Sequence, residues 1–280
     1  MHGHAPPMAP SFSSIPVALT IAGSDCSSGA GIQADLKTFA AMGVHGLTAL
    51  TCVVSETAAV VEAVLPLPPE FVAGQIALLA RGFPLAAIKT GMLFSAAHIR
   101  VVAAALAGQT CPLVVDPVMM ASTGAPLVEP DAIDLYRDLL LPMATVFTPN
   151  LDEARVLLDG RSIQRENLCD AAADLAGNFG TAVLLKGGHL RDGIATDVLV
   201  ENNGTITVFD SPYIDGVSTH GTGCTYSAAI TAHLARGCSL VDAVGAAKSF
   251  ISRAISGSFA WTTSNGRIEA LDQIQRPPHS

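Results

Sequence analysis

Thr219-His220-Gly221-Thr222-Gly223-Cys224 stands directly ahead of an apolar helical pattern, Cys224–Arg236. Glycines there let the backbone turn sharply and approach a ligand. The first turn of a helix has N–H groups without intrahelical acceptors and a partial positive charge, so Gly221, Thr222 and Gly223 can cradle a phosphoryl group. Cys224 sits where the field of the helix favours a thiolate, and a thiolate can take the proton of an attacking alcohol. The same residues also suit a plain glycine-rich start to a buried helix with an inert cysteine.

Lys186 ends an apolar run and precedes Gly187-Gly188. It can meet a phosphate as a point charge, or simply be a solvated strand end. Asn150 followed by Glu153 fits a helix N-cap with its capping box. The Glu153 carboxylate has acceptor sites to spare, so it can also hold Mg²⁺ through water. Asp116 before Pro117 can assist the same ion, or merely start a turn. Gly29-Ala30-Gly31-Ile32-Gln33-Ala34 matches the dinucleotide pattern GxGxx(G/A), and Glu56 stands near the place of its ribose-binding acid. Ser24–Ser28 separate those glycines from their strand, whereas a dinucleotide turn follows its strand directly. A nicotinamide-dependent dehydrogenase therefore stays as an alternative. The pattern GxxxxGK[ST] is absent, which excludes a P-loop enzyme.

These residues need a scaffold that gathers them. Short apolar runs at Val17–Ala22, Leu47–Val54, Ala86–Ile88, Leu113–Val115, Ala144–Phe147 and Ala182–Leu185 alternate with helical patterns. The helices are expected at Gly31–Met42, Pro69–Arg81, Ala96–Leu106, Asp131–Leu140, Leu151–Leu158, Asn167–Phe179, Cys224–Arg236 and Leu240–Ser256. Strands with few polar residues, separated by helices, predict a mostly parallel sheet covered on both faces. Val198–Val200 and Thr205–Phe209 flank Glu201-Asn202-Asn203-Gly204, an antiparallel edge hairpin by its Asn-Gly turn. Gly23-Ser24-Asp25, Glu56, Lys89-Thr90-Gly91-Met92, Asp116, Thr148-Pro149-Asn150 and Lys186 each follow a strand. In open parallel sheets, ligands bind outside the carboxyl ends of the strands.

The chain has 280 residues, 50% hydrophobic and 14% charged, enough for one large α/β domain. We read residues 1–16 as a flexible tail and 17–280 as a single domain. Lys and Arg number 15 against 24 Asp and Glu, a net charge of −9. An acidic chain without a basic run argues against nucleic acid and anionic membrane as partners. The six cysteines form no CxxC pair, so a zinc site has no support, and their scatter suits a reducing compartment.

Ala18-Leu19-Thr20-Ile21-Ala22-Gly23-Ser24-Asp25, then Gly29 through Thr38, resemble the opening of the hydroxymethylpyrimidine/phosphomethylpyrimidine kinases of thiamine synthesis. So do Lys89-Thr90-Gly91-Met92-Leu93, Asp116-Pro117-Val118-Met119, Thr148-Pro149-Asn150 with Glu153, Lys186-Gly187-Gly188-His189, and Thr219 through Thr225. The blocks run in family order over nearly the whole chain.

The resemblance implies a ribokinase-like αβα sandwich. It implies transfer of the ATP γ-phosphoryl group to the hydroxymethyl of 4-amino-5-hydroxymethyl-2-methylpyrimidine, and a second transfer onto that monophosphate. Carried over residue by residue, Cys224 is the base and Gly221, Thr222 and Gly223 form the anion hole. Lys186 and Asn150 lie on the ATP phosphates, Glu153 and Asp116 serve Mg²⁺, and Gly23, Asp25, Met92 and Val118 line the pyrimidine pocket. A cytoplasmic homodimer is implied as well.

One position departs from the pattern: many members carry Gln where this chain has Glu56. Gln donates and accepts; an ionised Glu only accepts. A pyridoxal or pyridoxine kinase of the same fold is therefore the nearest alternative, and a non-catalytic ligand-binding relative a further one.

Overall fold

The apolar runs form strands, and the periodic segments between them form helices. The computed structural model describes residues 14–119, 130–188, 193–217, 220–263 and 266–275. In chain order the elements are β1 (Val17–Asp25), α1 (Gly31–Ala41), β2 (His45–Thr57), β3 (Val60–Pro66), α2 (Pro69–Gly82), β4 (Leu85–Thr90), α3 (Ala96–Leu106), β5 (Leu113–Val115) and α4 (Pro130–Leu135). They continue as β6 (Val146–Phe147), α5 (Leu151–Leu157), α6 (Leu168–Phe179), β7 (Ala182–Lys186), β8 (Ile194–Val200), β9 (Ile206–Pro212), α7 (Thr222–Ala235), α8 (Leu240–Ser256), β10 (Phe259–Thr263) and β11 (Gly266–Ala270). Of the expected tail, residues 1–13 lie outside the described residues, as do His189 and Thr219.

Nine strands make one sheet in the order β3-β2-β1-β4-β5-β6-β7-β8-β9. The six from β2 to β7 in that order are mutually parallel, while β3 at one edge and β8 and β9 at the other run antiparallel. The expected hairpin is there, with Asn203 at its turn accepting from the Thr205 N–H. Three differences stand out. The second strand extends from the expected Leu47–Val54 to His45–Thr57 because β3 folds back on it, so Glu56 lies inside β2, opposite Val61, and not after the strand. The helix expected over Asp131–Leu140 leaves α geometry at Tyr136 and continues as a wider π-turn through Leu140. A second, separate hairpin, β10–β11, follows α8.

Successive strand residues face opposite sides, so each buried strand feeds two cores. Val17, Leu19 and Ile21 of β1, Ile88 of β4, Leu113 and Val115 of β5, and Val183 and Leu185 of β7 pack on the side of α2, α3, α5 and α6. Their neighbours Ala87, Val114, Ala182 and Leu184 pack against α7 and α8, and Ala18 meets Phe39 of α1. Parallel strands buried on both faces leave polar chemistry one outlet, the carboxyl ends, where the loops emerge.

Candidate phosphoryl-transfer site

Gly221 is the N-cap of α7, and its φ of +80° is left-handed. A Cβ there would stand 1.9 Å from the Gly29 carbonyl oxygen, so only glycine lets this turn close on the β1–α1 loop. The Thr225 N–H reaches back to the Gly221 carbonyl at 2.9 Å and closes the first helical turn. The N–H groups of Thr222, Gly223 and Cys224 thus open the helix without intrahelical acceptors. Thr222 Oγ1 is buried there with no partner. Gly223 lies against the charged cluster: a Cβ there would stand in ordinary contact, 3.4 Å from Lys186 Nζ and 3.8 Å from Asp116 Oδ2.

Beside this turn lies a buried charge cluster. Lys186 Nζ, at the end of β7, donates to Asp116 Oδ1 at 3.0 Å. Thr148 donates to the same oxygen, and Ser227 of α7 to Oδ2, both at 3.1 Å. Burial disfavours the charge on Asp116, but Lys186 and Lys89 hold its carboxyl below the usual range. Burial likewise works against the Lys186 ammonium, and Asp116 with Glu153 outweighs it. Asn150 caps α5 as expected: its Oδ1 accepts from the Asp152 and Glu153 N–H groups, and its own N–H donates to Glu153 Oε2 at 2.8 Å. Burial pushes Glu153 up to about 7, with Asp116 adding to the rise and Lys186 opposing it.

The second half of the crevice is organised by Asp25. Its Oδ1 accepts from the Ser27 N–H and hydroxyl, each at 2.7 Å, and its Oδ2 from the Gly29 and Ala30 N–H groups at 3.0 and 2.7 Å. His220 Nε2 meets the same Oδ2 at 2.9 Å and ties the α7 turn to the β1–α1 loop. Burial alone would raise Asp25, but these bonds, that of His220 foremost, hold it far below the usual range. The Gly29 and Ala30 N–H groups are therefore occupied by Asp25 and do not wait for a pyrophosphate, which argues against the dinucleotide reading. Gly23 bulges out of the β1–β2 ladder, where a Cβ would stand 2.7 Å from Cys52 Sγ and 3.6 Å from Met92 Sδ. Glu56, half-buried, is raised by burial and by repulsion from Asp25, with His220 pulling the other way. Gly23, Asp25, Glu56 and Met92 thus share one neighbourhood, while Val118, half-buried, follows Asp116 on its neighbouring loop.

Cys224 differs from its sequence-based expectation. Burial pushes its thiol up to about 12; Lys89 and the Gly31 N–H pull it down but do not prevail. Desolvation here outweighs the helix field.

Three neighbours carried no expected role. Lys89 Nζ and Asp35 Oδ2 are 2.9 Å apart with neither side chain exposed, and Thr20 donates to the same oxygen at 2.6 Å. By sequence Lys89 falls just after the third apolar run; the structure puts it inside β4.

The phosphomethylpyrimidine kinase family model matches residues 25–269 of the chain. The hydroxymethylpyrimidine/phosphomethylpyrimidine kinase of Streptomyces coelicolor is 41% identical over 259 residues, covering 92% of this chain and 94% of that protein. Among solved structures, Bacillus subtilis pyridoxal kinase, in an ADP complex, matches with a TM-score of 0.83 at 37% identity, covering 94% of this chain and 99% of that one. Phosphomethylpyrimidine kinase from Clostridium difficile matches with a TM-score of 0.75 at 36% identity, covering 85% and 99%.

Glu153 makes a pH prediction. Its folded value lies above its ordinary 4.5, so its proton favours folding at low pH, and that contribution is lost as pH rises through about 7. Glu153→Gln stays neutral. Measured by urea unfolding without nucleotide or magnesium, the variant gains stability relative to the parent between about pH 5 and about pH 8. A difference that stays constant across that range contradicts the assignment.

Proposed function

We propose, for a chain that belongs to the phosphomethylpyrimidine kinase family, ATP-dependent phosphorylation of 4-amino-5-hydroxymethyl-2-methylpyrimidine and then of its monophosphate. The observation that carries this reading is the meeting of the α7 start with Lys186 and Asp116 at the strand ends. A preorganised set of N–H donors beside a buried cation suits a transferring phosphoryl group, whose charge spreads over its outer oxygens.

In this reading Gly221, Thr222 and Gly223 shape the anion hole, and the unpartnered Thr222 hydroxyl has an acceptor to find there. Lys186 meets the phosphates from the opposite side, leaving Asp116 with Thr148 and Ser227 as remaining donors. Asn150 holds the start of α5, which keeps Glu153 turned toward Lys186. The donors present fit Mg²⁺: Asp116 and Glu153 supply hard oxygen ligands, while among the described residues no group of three or more His, Cys, Asp or Glu could cage a metal alone. A magnesium ion that arrives on the nucleotide and keeps its waters needs no more than that, and when bound it neutralises phosphate charge.

Gly23, Asp25, Glu56, Met92 and Val118 line the ring pocket, and Cys224 accepts the hydroxyl proton. Only its thiolate can take that proton, and burial keeps the thiolate fraction small at neutral pH. The six free cysteines suit a reducing compartment, and a cytoplasmic homodimer built of one domain from residue 17 onward belongs to the same proposal. No described helix is long and apolar enough to cross a membrane.

A B6 vitamer kinase is the second reading. The observation that favours it is Glu56, whose carboxylate can pair with a pyridinium ring; the likeness to Bacillus subtilis pyridoxal kinase agrees with it.

Two outcomes test these roles. Cys224→Ala lowers turnover about 10²- to 10⁴-fold while ATP still binds, as expected for loss of a general base; near-parental turnover in the purified variant removes Cys224 from that role. Glu56→Gln changes the ratio of kcat/KM for the pyrimidine to that for pyridoxal, because a polar mismatch in a ring pocket is costly. An unchanged ratio with unchanged rates makes Glu56 a bystander.

A further inference from the structure

Lys89 and Asp35 are charged and have no solvent exposure, and neither has yet been given a role in the proposed reaction. A buried ion pair pays a desolvation cost that its own attraction often fails to repay, so its presence asks for a reason. The bonding is also incomplete. Asp35 Oδ2 accepts from both Lys89 and Thr20, while Asp35 Oδ1 has no partner at all. An ammonium has three donors, and Lys89 gives one to Asp35.

Placement shows where the rest of that charge is directed. In β4, Lys89 alternates with Ile88 and shares the face of Ala87, the face on which α7 and α8 pack. It pairs in register with Thr20 of β1, and Asp35 comes from α1 above them. Nζ reaches the space beside Gly91, 3.2 Å from where a Cβ would stand, so a glycine keeps room for the ammonium. The start of α7 lies over this spot: α7 packs on both β4 and α1, and the N–H of Gly31, one turn ahead of Asp35 in α1, reaches the Cys224 sulfur.

We propose that Lys89 is a positioning residue for Cys224: its ammonium, anchored by Asp35, fixes one positive charge behind the start of α7 and stabilises negative charge on the Cys224 sulfur. This rests on the reading of Cys224 as proton acceptor. The groups that face the sulfur are Asp35 from α1, Lys89 from β4, Asp116 from the loop after β5, Lys186 from β7, and the Gly31 N–H. The attraction of Lys89 outweighs the repulsion from Asp35, so the pair as a whole favours the thiolate. Lys186 is committed to Asp116 and to the phosphates, which leaves Lys89 as the cation that serves the sulfur.

The test separates this role from mere structural support. Lys89→Met strands the Asp35 carboxyl and can unfold the chain, so the deciding variant is Lys89→Met with Asp35→Asn, which buries no charge. In the full-length protein without nucleotide, iodoacetamide alkylation of Cys224, resolved by peptide mass, reads the thiolate fraction directly. At about pH 8.5 the double variant alkylates Cys224 about tenfold more slowly than the parent, the change that one pKa unit produces. Its kcat falls by about tenfold or more, while KM for ATP and for the pyrimidine stays within about threefold. If Lys89 only neutralises Asp35, removing both charges restores alkylation rate and kcat to parental values, and the proposal is overturned. Normal turnover in Cys224→Ala would sink the proton-acceptor reading alone; the alkylation rates still judge the influence of Lys89 on the sulfur.

Discussion

Lys186 and Asp116 meet almost out of reach of water, and four segments are arranged by that contact. Lys186 ends β7, Asp116 follows β5, Thr148 follows β6, Ser227 belongs to α7, and Gly223 at the start of α7 lies against both charges. Charges buried to this degree must be paired or they unfold the protein. The pairing therefore fixes the spacing of three strand ends and one helix start at once. Glu153 sits at the margin of the same cluster, tied down by the N-cap of α5, and its raised value reports its burial first, with the nearby Asp116 adding to it.

Asp25 organises the β1–α1 side of the crevice as Asp116 organises the strand ends. Its two oxygens collect the Ser27, Gly29 and Ala30 N–H groups and the His220 ring, so the β1–α1 loop and the α7 turn move as one piece. Gly221 approaches the Gly29 carbonyl only because it lacks a side chain, and Gly29 leaves the space that the His220 ring takes. The two loops thus hold each other at the mouth of the crevice.

Much of this was legible in the chain. The strands, the edge hairpin at Asn203-Gly204, and the helices Ala96–Leu106 and Leu240–Ser256 follow from period and turn chemistry, and the strand-end cluster follows from parallel topology. β3 was not legible, because Ala58-Ala59 between it and β2 hold no turn-forming residue, and Glu56 was misplaced as a result. β10–β11 carries Asn265-Gly266, the same signal as the first hairpin, but its flanks lack an apolar run. The pairs Asp35–Lys89 and Asp25–His220 join residues 54 and 195 positions apart. No local pattern reports such contacts; only the tertiary fold decides which charges lose their water. The same desolvation defeats the local rule that a helix start favours a thiolate at Cys224.

The central claim is that these strand ends and the start of α7 form one site that moves phosphate from ATP to a pyrimidine alcohol. A time course of product mass, with the purified chain, ATP, magnesium and 4-amino-5-hydroxymethyl-2-methylpyrimidine, addresses it most directly. The account predicts a monophosphate that appears first and a diphosphate that follows at its expense, with ADP released in step. ATP consumption with pyridoxal and none with the pyrimidine would contradict it.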